Sequence, residues 1–244
     1  PDGVTEEDYQ NLIDILKRGY TGLSAENNRR LADTVSYYTV WVHQIKTPIA
    51  AMKLALQNED APAARRLSNE LFRIEQYVEM VLTYLRLNAD STDYLIKEYD
   101  LDKIIRRSVK KFAGEFIERK LTLSYTPADA QVITDEKWLS FVIEQVLSNA
   151  LKYTPSGEIS VYFENGKIVI KDTGIGIAPE DLPRIFENGY TGCNGRRDKQ
   201  ASGLGLYLCR QICENLGHKI SAESAVGEGT TVLIDVSRKK TVME

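Results

Sequence analysis

From Leu31 to Leu56 the apolar positions recur at spacings that alternate four and three without a miss: Leu31, Val35, Tyr38, Val42, Ile45, Ile49, Met52 and Leu56. Such a repeat is a heptad seam, which predicts a long α-helix with one apolar face turned to a partner. The stretch NEDAP then breaks the pattern, with Asp60 placed to cap a second helix and Pro62 just inside it. A second seam follows through Leu67, Leu71, Ile74, Val78, Val81 and Leu85. Two long helices joined by so short a loop fold back antiparallel. One hairpin cannot bury two seams together with the flanking Trp41, Phe72 and Tyr77. Two hairpins paired as a four-helix bundle can, so a homodimer is expected.

The texture changes near residues 90 to 98, where NADSTDYLIKEYD carries no periodicity. Beyond it, helical patterns at about 100 to 118, 135 to 152 and 203 to 216 alternate with the strand-like runs KLTLSY, EISVYF, KIVIKD and TTVLIDV. Asn165-Gly166, set between two alternating runs, predicts a tight hairpin. The expected fold class is therefore a helical hairpin, dimerised as an antiparallel four-helix bundle, followed by an α/β domain of ordinary size. Ahead of the bundle, Tyr9, Leu12, Ile13 and Leu16 make one short helical pattern that Gly19 and Gly22 should close. The expected divisions are 1–23, a linker with a short helix; 24–92, the hairpin; and 93–244, the α/β domain.

A net charge of −4 and the absence of any long basic run argue against a nucleic-acid partner or a membrane-surface binder. Cys193, Cys209 and Cys213 fit neither a zinc spacing nor a disulfide framework, and the last two, one helical turn apart, read as buried small side chains. No apolar run is long enough to cross a bilayer. The chain starts at Pro1 without a methionine, as expected of a portion of something longer.

On the heptad register Val42 and Ile45 face the seam, so His43 and Thr47, four residues apart, share an outward patch. Pro48 removes a backbone donor and crowds the Gln44 carbonyl at a cost of roughly 3 kcal/mol, which should bend the helix beside that patch. A lone surface histidine is most often merely solvated; the bend and the neighbouring hydroxyl favour a presented nucleophile. Tyr37, Tyr38 and Trp41 read as bundle packing, and His218 in NLGHKI as a structural residue.

In the second domain, EQVLSNALKYTP sets Gln145, Asn149 and Lys152 on one helix face, with Tyr153 at its end. VIKDTGIGI ends a strand at Asp172 and runs into Gly174 and Gly176. A carboxylate there can accept a bond from a purine amine, and glycines let a flat ring approach the backbone. SGLGLYLCRQICENLG opens a helix at Gly203, Leu204 and Gly205, and glycine-bearing helix N-termini bind phosphate. Between them ENGYTGCNGRRDKQA, with Arg196, Arg197 and Lys199, has the length of a lid. Taken singly, Asn149 could be an ordinary helix residue and DTGIG an ordinary turn.

Taken in order, HQIKTP, NALKYTP, DTGIGI, RIFE, SGLGL and GEGTTV resemble the H, N, G1, F, G2 and C-terminal glycine boxes of bacterial sensor histidine kinases. The resemblance implies an α/β-sandwich ATP-binding domain of the GHKL type. It implies ATP with Mg²⁺, Asp172 reading adenine and Asn149 holding the metal. Gln145 stands where the family usually has a second asparagine. Lys152 and Tyr153 would face the phosphates, and the turn from Gly203 to Leu206 would cradle them. Ala201 replaces a glycine expected in that last loop. His43 would take the γ-phosphoryl group and pass it to an aspartate of a cognate response regulator.

The main departure is Gln44, where many relatives carry an acid. Glutamine can accept a hydrogen bond but not a proton, and losing a charge-assisted bond costs about 1 kcal/mol, so a slow kinase is expected. Thr47 occupies the family's place for a group that assists dephosphorylation of the regulator. WVHQIKTPI is similar to a subgroup with a short membrane-embedded sensor, tied to peptide-antibiotic response. That likeness implies the cytoplasmic portion of an inner-membrane protein, with a membrane transporter or sensor as a further partner. Three other uses stay open: an ATPase without phosphohistidine, a dimeric scaffold, and an enzyme acting mainly as a phosphatase.

Overall fold

The computed structural model describes residues 6–56, 62–87, 94–192 and 202–237. The chain divides into two compact units, Pro1–Thr92 and Asp93–Glu244. The first is a pair of helices, α1 (Glu6–Leu56) and α2 (Pro62–Leu87). Helix α1 does not close at Gly19 and Gly22; it stays helical for 51 residues, through both glycines and through Pro48. A glycine costs a helix about 1 kcal/mol against alanine, too little to stop propagation between well-formed turns. A Cβ at either position would meet nothing within 4 Å, so no packing calls for glycine there. Asp60 and the NEDAP break lie outside the described residues, and α2 opens at Pro62 as the sequence predicts.

The two helices run antiparallel, as their cross-links show. Lys46 Nζ lies 2.6 Å from Glu79 Oε2, while Lys53, later in α1, pairs with Glu75, earlier in α2. Val42, Val78 and Leu82 form a buried cluster with Ile45 packed against it. Ile49 and Leu71 are buried as well. Each such side chain stabilises the hairpin by roughly 1.5–3 kcal/mol when fully covered. Alternate seam positions are not covered: Tyr38, Met52, Leu67, Ile74 and Val81 are exposed.

The second unit mixes helices with two sheets. Strand β1 (Lys97–Asp100) leads into α3 (Leu101–Lys111), whose first turn is capped by Asp100 accepting from Lys103 N at 3.2 Å. The single helix expected over 100 to 118 is two, because Phe112 leaves helical geometry (φ −96°, ψ 4°) with its ring fully buried, and α4 (Ala113–Arg119) follows. Strands β2 (Thr122–Tyr125) and β3 (Gln131–Thr134) precede α5 (Glu136–Tyr153), which is capped by Asp135. Then come β4 (Glu158–Glu164), β5 (Lys167–Asp172), a 3₁₀ turn at Leu182–Arg184, α6 (Gly205–Asn215), β6 (Lys219–Ala225) and β7 (Gly229–Asp235).

The main sheet has the order β2-β4-β5-β7-β6, parallel between β2 and β4 and antiparallel elsewhere; β1 and β3 pair separately. Asn165 and Gly166 both take positive φ (51° and 78°), the two-residue turn that matches strand twist. Helix α5 packs against α3, α6 and β5, burying Leu139, Val142, Ile143, Val146 and Leu147. Cys209 and Cys213 are free and buried on α6, and burial pushes the Cys213 thiol up to about 12. Cys193 lies outside the described residues. His218 is buried with Nε2 3.0 Å from Thr134 Oγ1, the structural place expected of it.

Candidate active site

Asp172 is the last residue of β5 and is buried between β4 and β7, opposite Ile159 and Thr230. Its Oδ1 accepts two backbone bonds, from Gly174 N at 2.8 Å and Thr230 N at 3.2 Å. Those bonds hold the carboxylate through one oxygen, Oδ1. Burial raises its pKa above the ordinary carboxylate value, and the two N–H donors oppose that rise.

The turn after β5 is clamped from three sides. Ile175 N donates to the Tyr153 carbonyl, Gly227 N to the Ile175 carbonyl, and Ile177 N to Ser224 Oγ. At Gly174 any Cβ would lie 2.4 Å from the Tyr153 carbonyl oxygen and 2.8 Å from Asp172 Oδ1. Gly176 sits at φ +70°, with a would-be Cβ 1.9 Å from the Ala225 oxygen. A side chain at Gly174 would strike the Tyr153 carbonyl and the carboxylate, and one at Gly176 the Ala225 backbone, so both glycines are needed for this close packing of the turn.

On α5, Gln145, Asn149 and Lys152 follow one another at helical spacing, but their environments differ. Gln145 is buried, whereas Asn149, Lys152 and Tyr153 are half-buried. Lys152 Nζ lies 5.1 Å from the Tyr153 ring centroid. Helix α6 begins at Gly205 after Leu204, and no side chain caps its first turn among the described residues. Leu204 N donates to Ser202 Oγ at 3.3 Å. Just before it, Gly203 (φ +68°) accepts from Gly189 N at 3.1 Å. Arg196, Arg197, Lys199 and Ala201, within the stretch between those glycines, lie outside the described residues.

On the helical hairpin, His43, Gln44, Thr47 and Pro48 are exposed while Val42 and Ile49 are buried at 1% and 3% exposure. Thr47 Oγ1 donates to the His43 carbonyl at 3.1 Å, one residue before the Gln44 carbonyl that Pro48 leaves without its helical donor. Tyr37, Tyr38 and Trp41 stack edge-on along α1, with centroids 5.5 and 6.1 Å apart.

Residues 134–240 match the family described as histidine kinase-, DNA gyrase B- and HSP90-like ATPase. A sensor histidine kinase of Bacillus subtilis, YxdK, is 33% identical over 231 residues, 92% of this chain and 71% of its own length. The sensor histidine kinase GraS of Staphylococcus haemolyticus is 34% identical over 252 residues, 98% of this chain and 73% of its own. The chain belongs to the bacterial sensor histidine kinases. The fold of the Acinetobacter baumannii histidine kinase AdeS agrees, with a TM-score of 0.51 at 21% identity over 80% of this chain and 98% of that one.

As a sensor histidine kinase, the chain binds ATP in its α/β unit, phosphorylates itself on a histidine and passes the phosphoryl group on in two-component signalling. Beside Asp172 stand two residues of the GEGTTV stretch to which the sequence reading gave no role. Thr230 gives Asp172 its backbone N–H while its hydroxyl lies 2.9 Å from Ser224 Oγ, and Gly229 (φ +102°) lets that strand close on Asp172, whose carbonyl oxygen would lie 2.0 Å from an added Cβ. The stretch GEGT was the available signal, since a glycine two residues after another marks a tight approach rather than an ordinary strand start. Among the described residues no helix is long and apolar enough to cross a membrane.

Proposed function

We propose that His43 is the phosphorylated histidine, that its phosphoryl group passes to an aspartate of a cognate response regulator, and that the kinase also dephosphorylates that regulator. The observation that carries this reading is the division between neighbours on α1: Val42 and Ile49 anchor the hairpin while His43 stays exposed. In the forward step an imidazole lone pair forms the N–P bond, the bond from γ-phosphorus to the bridging oxygen breaks, and ADP leaves with that electron pair. Positioning and charge neutralisation supply most of the rate in such transfers.

Asp172 Oδ2 would accept the adenine amine, Lys152 and Tyr153 would face the phosphates, and the start of α6 at Gly203, Leu204 and Gly205 would cradle them. Among the described residues no group of three His, Cys, Asp or Glu side chains could hold a metal ion. A bound Mg²⁺, which needs few protein ligands, would take an amide oxygen from Asn149 first and Gln145 second, with phosphate oxygens and water completing its shell. When bound, the ion neutralises charge on the phosphates. Gln145, being buried, is the weaker ligand of the two.

Dimerisation through a four-helix bundle is supported by the exposed half of each seam, Tyr38 and Met52 on α1 and Leu67, Ile74 and Val81 on α2. The domain reading follows: 24–92 for dimerisation and phosphotransfer, 93–244 for nucleotide binding, 1–23 as the approach from a membrane segment. A membrane transporter or sensor partner and a role in peptide-antibiotic response rest on the subgroup likeness of WVHQIKTPI. Transfer is tested by labelling the kinase from γ-labelled ATP, removing nucleotide, and adding a purified receiver domain of the response-regulator type. Label should leave the kinase and appear on the receiver as a hydroxylamine-labile acyl phosphate. Label that stays on the kinase with every receiver tried contradicts the proposal.

A further inference from the structure

The last turn of α5 leaves four carbonyls without helical donors, as every helix end does. Two of them are taken by other elements. The Tyr153 carbonyl accepts Ile175 N at 3.1 Å, and the Leu151 carbonyl accepts Arg119 Nη1 at 2.9 Å. Lys152 sits between these two anchored peptides. Arg119 closes α4, and its Nε lies 3.6 Å from Oε2 of Glu115, one turn earlier and 7% exposed. That carboxylate sets an ion pair beside the guanidinium, and a cation at a helix C-terminus also complements the helix dipole. Beyond Tyr153 the helix offers no further support: Thr154 is extended (φ −108°, ψ 98°) and Pro155 cannot continue the turn.

We propose that Arg119, oriented by Glu115, is a positioning residue for the phosphate side of the nucleotide site. By holding the Leu151 carbonyl it fixes the peptide that leads into Lys152, and so sets where Lys152 and Tyr153 present their polar groups. The inference rests on the reading that Lys152 faces the phosphates. Arg119 acts through the backbone at the end of α5, beside the turn that follows Asp172, without touching nucleotide.

The test is a double-mutant cycle on the full chain, with affinity for a non-hydrolysable ATP analogue and Mg²⁺ read by calorimetry. Arg119→Met should weaken binding by roughly five- to tenfold, the size of one lost charge-assisted hydrogen bond, and Arg119→Lys should recover most of it. In a Lys152→Ala background Arg119→Met should add almost nothing, because the residue through which it acts is gone. An equal loss in both backgrounds, or no loss in the parent, overturns the proposal and leaves Arg119 a plain helix clamp. Should Arg119→Met not fold, Glu115→Gln, which frees the guanidinium without emptying its site, must show the same background dependence. If Lys152→Ala alone leaves affinity unchanged, the phosphate-facing reading of Lys152 fails, and this inference with it.

Discussion

Asp172 carries two demands that pull in opposite directions. On the proposed reading it accepts an amine in its ionised form, yet its burial favours the protonated form. Its folded pKa lies above the unfolded one, so protonation favours the folded state, and the stability it contributes falls as pH rises through that window. Nucleotide affinity runs the other way and is lost on acidification at a higher pH than an ordinary aspartate would give. Asp172→Asn should therefore abolish ATP binding while raising the Tm of the nucleotide-free kinase; a lowered Tm would contradict this view of the carboxylate. At the phosphotransfer helix, Gln44→Glu should speed autophosphorylation several-fold, and a rate that stays flat or drops rejects the role given to Gln44. The Thr47 hydroxyl spends its proton on the His43 carbonyl, so it can orient water only as an acceptor. Thr47→Ala should spare autophosphorylation and slow regulator dephosphorylation, whereas a matching loss of both removes the assignment. At this scale the carboxylate and the glycines were legible, because side-chain chemistry at a strand end is written in the residue type. Thr230 and Arg119 were not, since one acts through a backbone N–H and the other on a backbone carbonyl.

The helices and strands divide by how far their information is local. The seams of α1 and α2 could be read directly, as could the Asn165-Gly166 hairpin, because spacing and positive φ are properties of a few adjacent residues. Strands β1 and β3, four residues each, were missed: too short for a period, they exist through pairing across more than thirty residues of chain. The break at Phe112 was missed as well, because only a core that takes the ring decides it. The same hairpin offers a test of the bundle. Ile74 and Val81 are exposed on α2 at seam positions, and a carboxylate there would be left unpaired inside a four-helix core. Ile74→Glu should convert a dimer to a monomer in sedimentation equilibrium with ATP binding intact; a parent protein that sediments as a monomer rules out the bundle.

For the whole molecule, the division of labour follows from what each fold can do. A helical hairpin offers rigid anchoring on one face and open access on the other, which suits an imidazole that must meet two partners in turn. An α/β unit supplies what a hairpin lacks: a buried carboxylate at a strand end, a glycine turn beside it and a helix that opens with glycine. The sequence signals for the two were independent, a heptad register and a set of glycine boxes, and neither implies the other. What joins them is the chemistry of phosphoryl transfer from one unit to a side chain of the other. The most direct measurement is incorporation of label from γ-labelled ATP and Mg²⁺ into purified wild-type chain and into His43→Ala. The wild type should acquire acid-labile, base-stable label and the variant none, although both bind ATP. Equal labelling of the two would contradict the account.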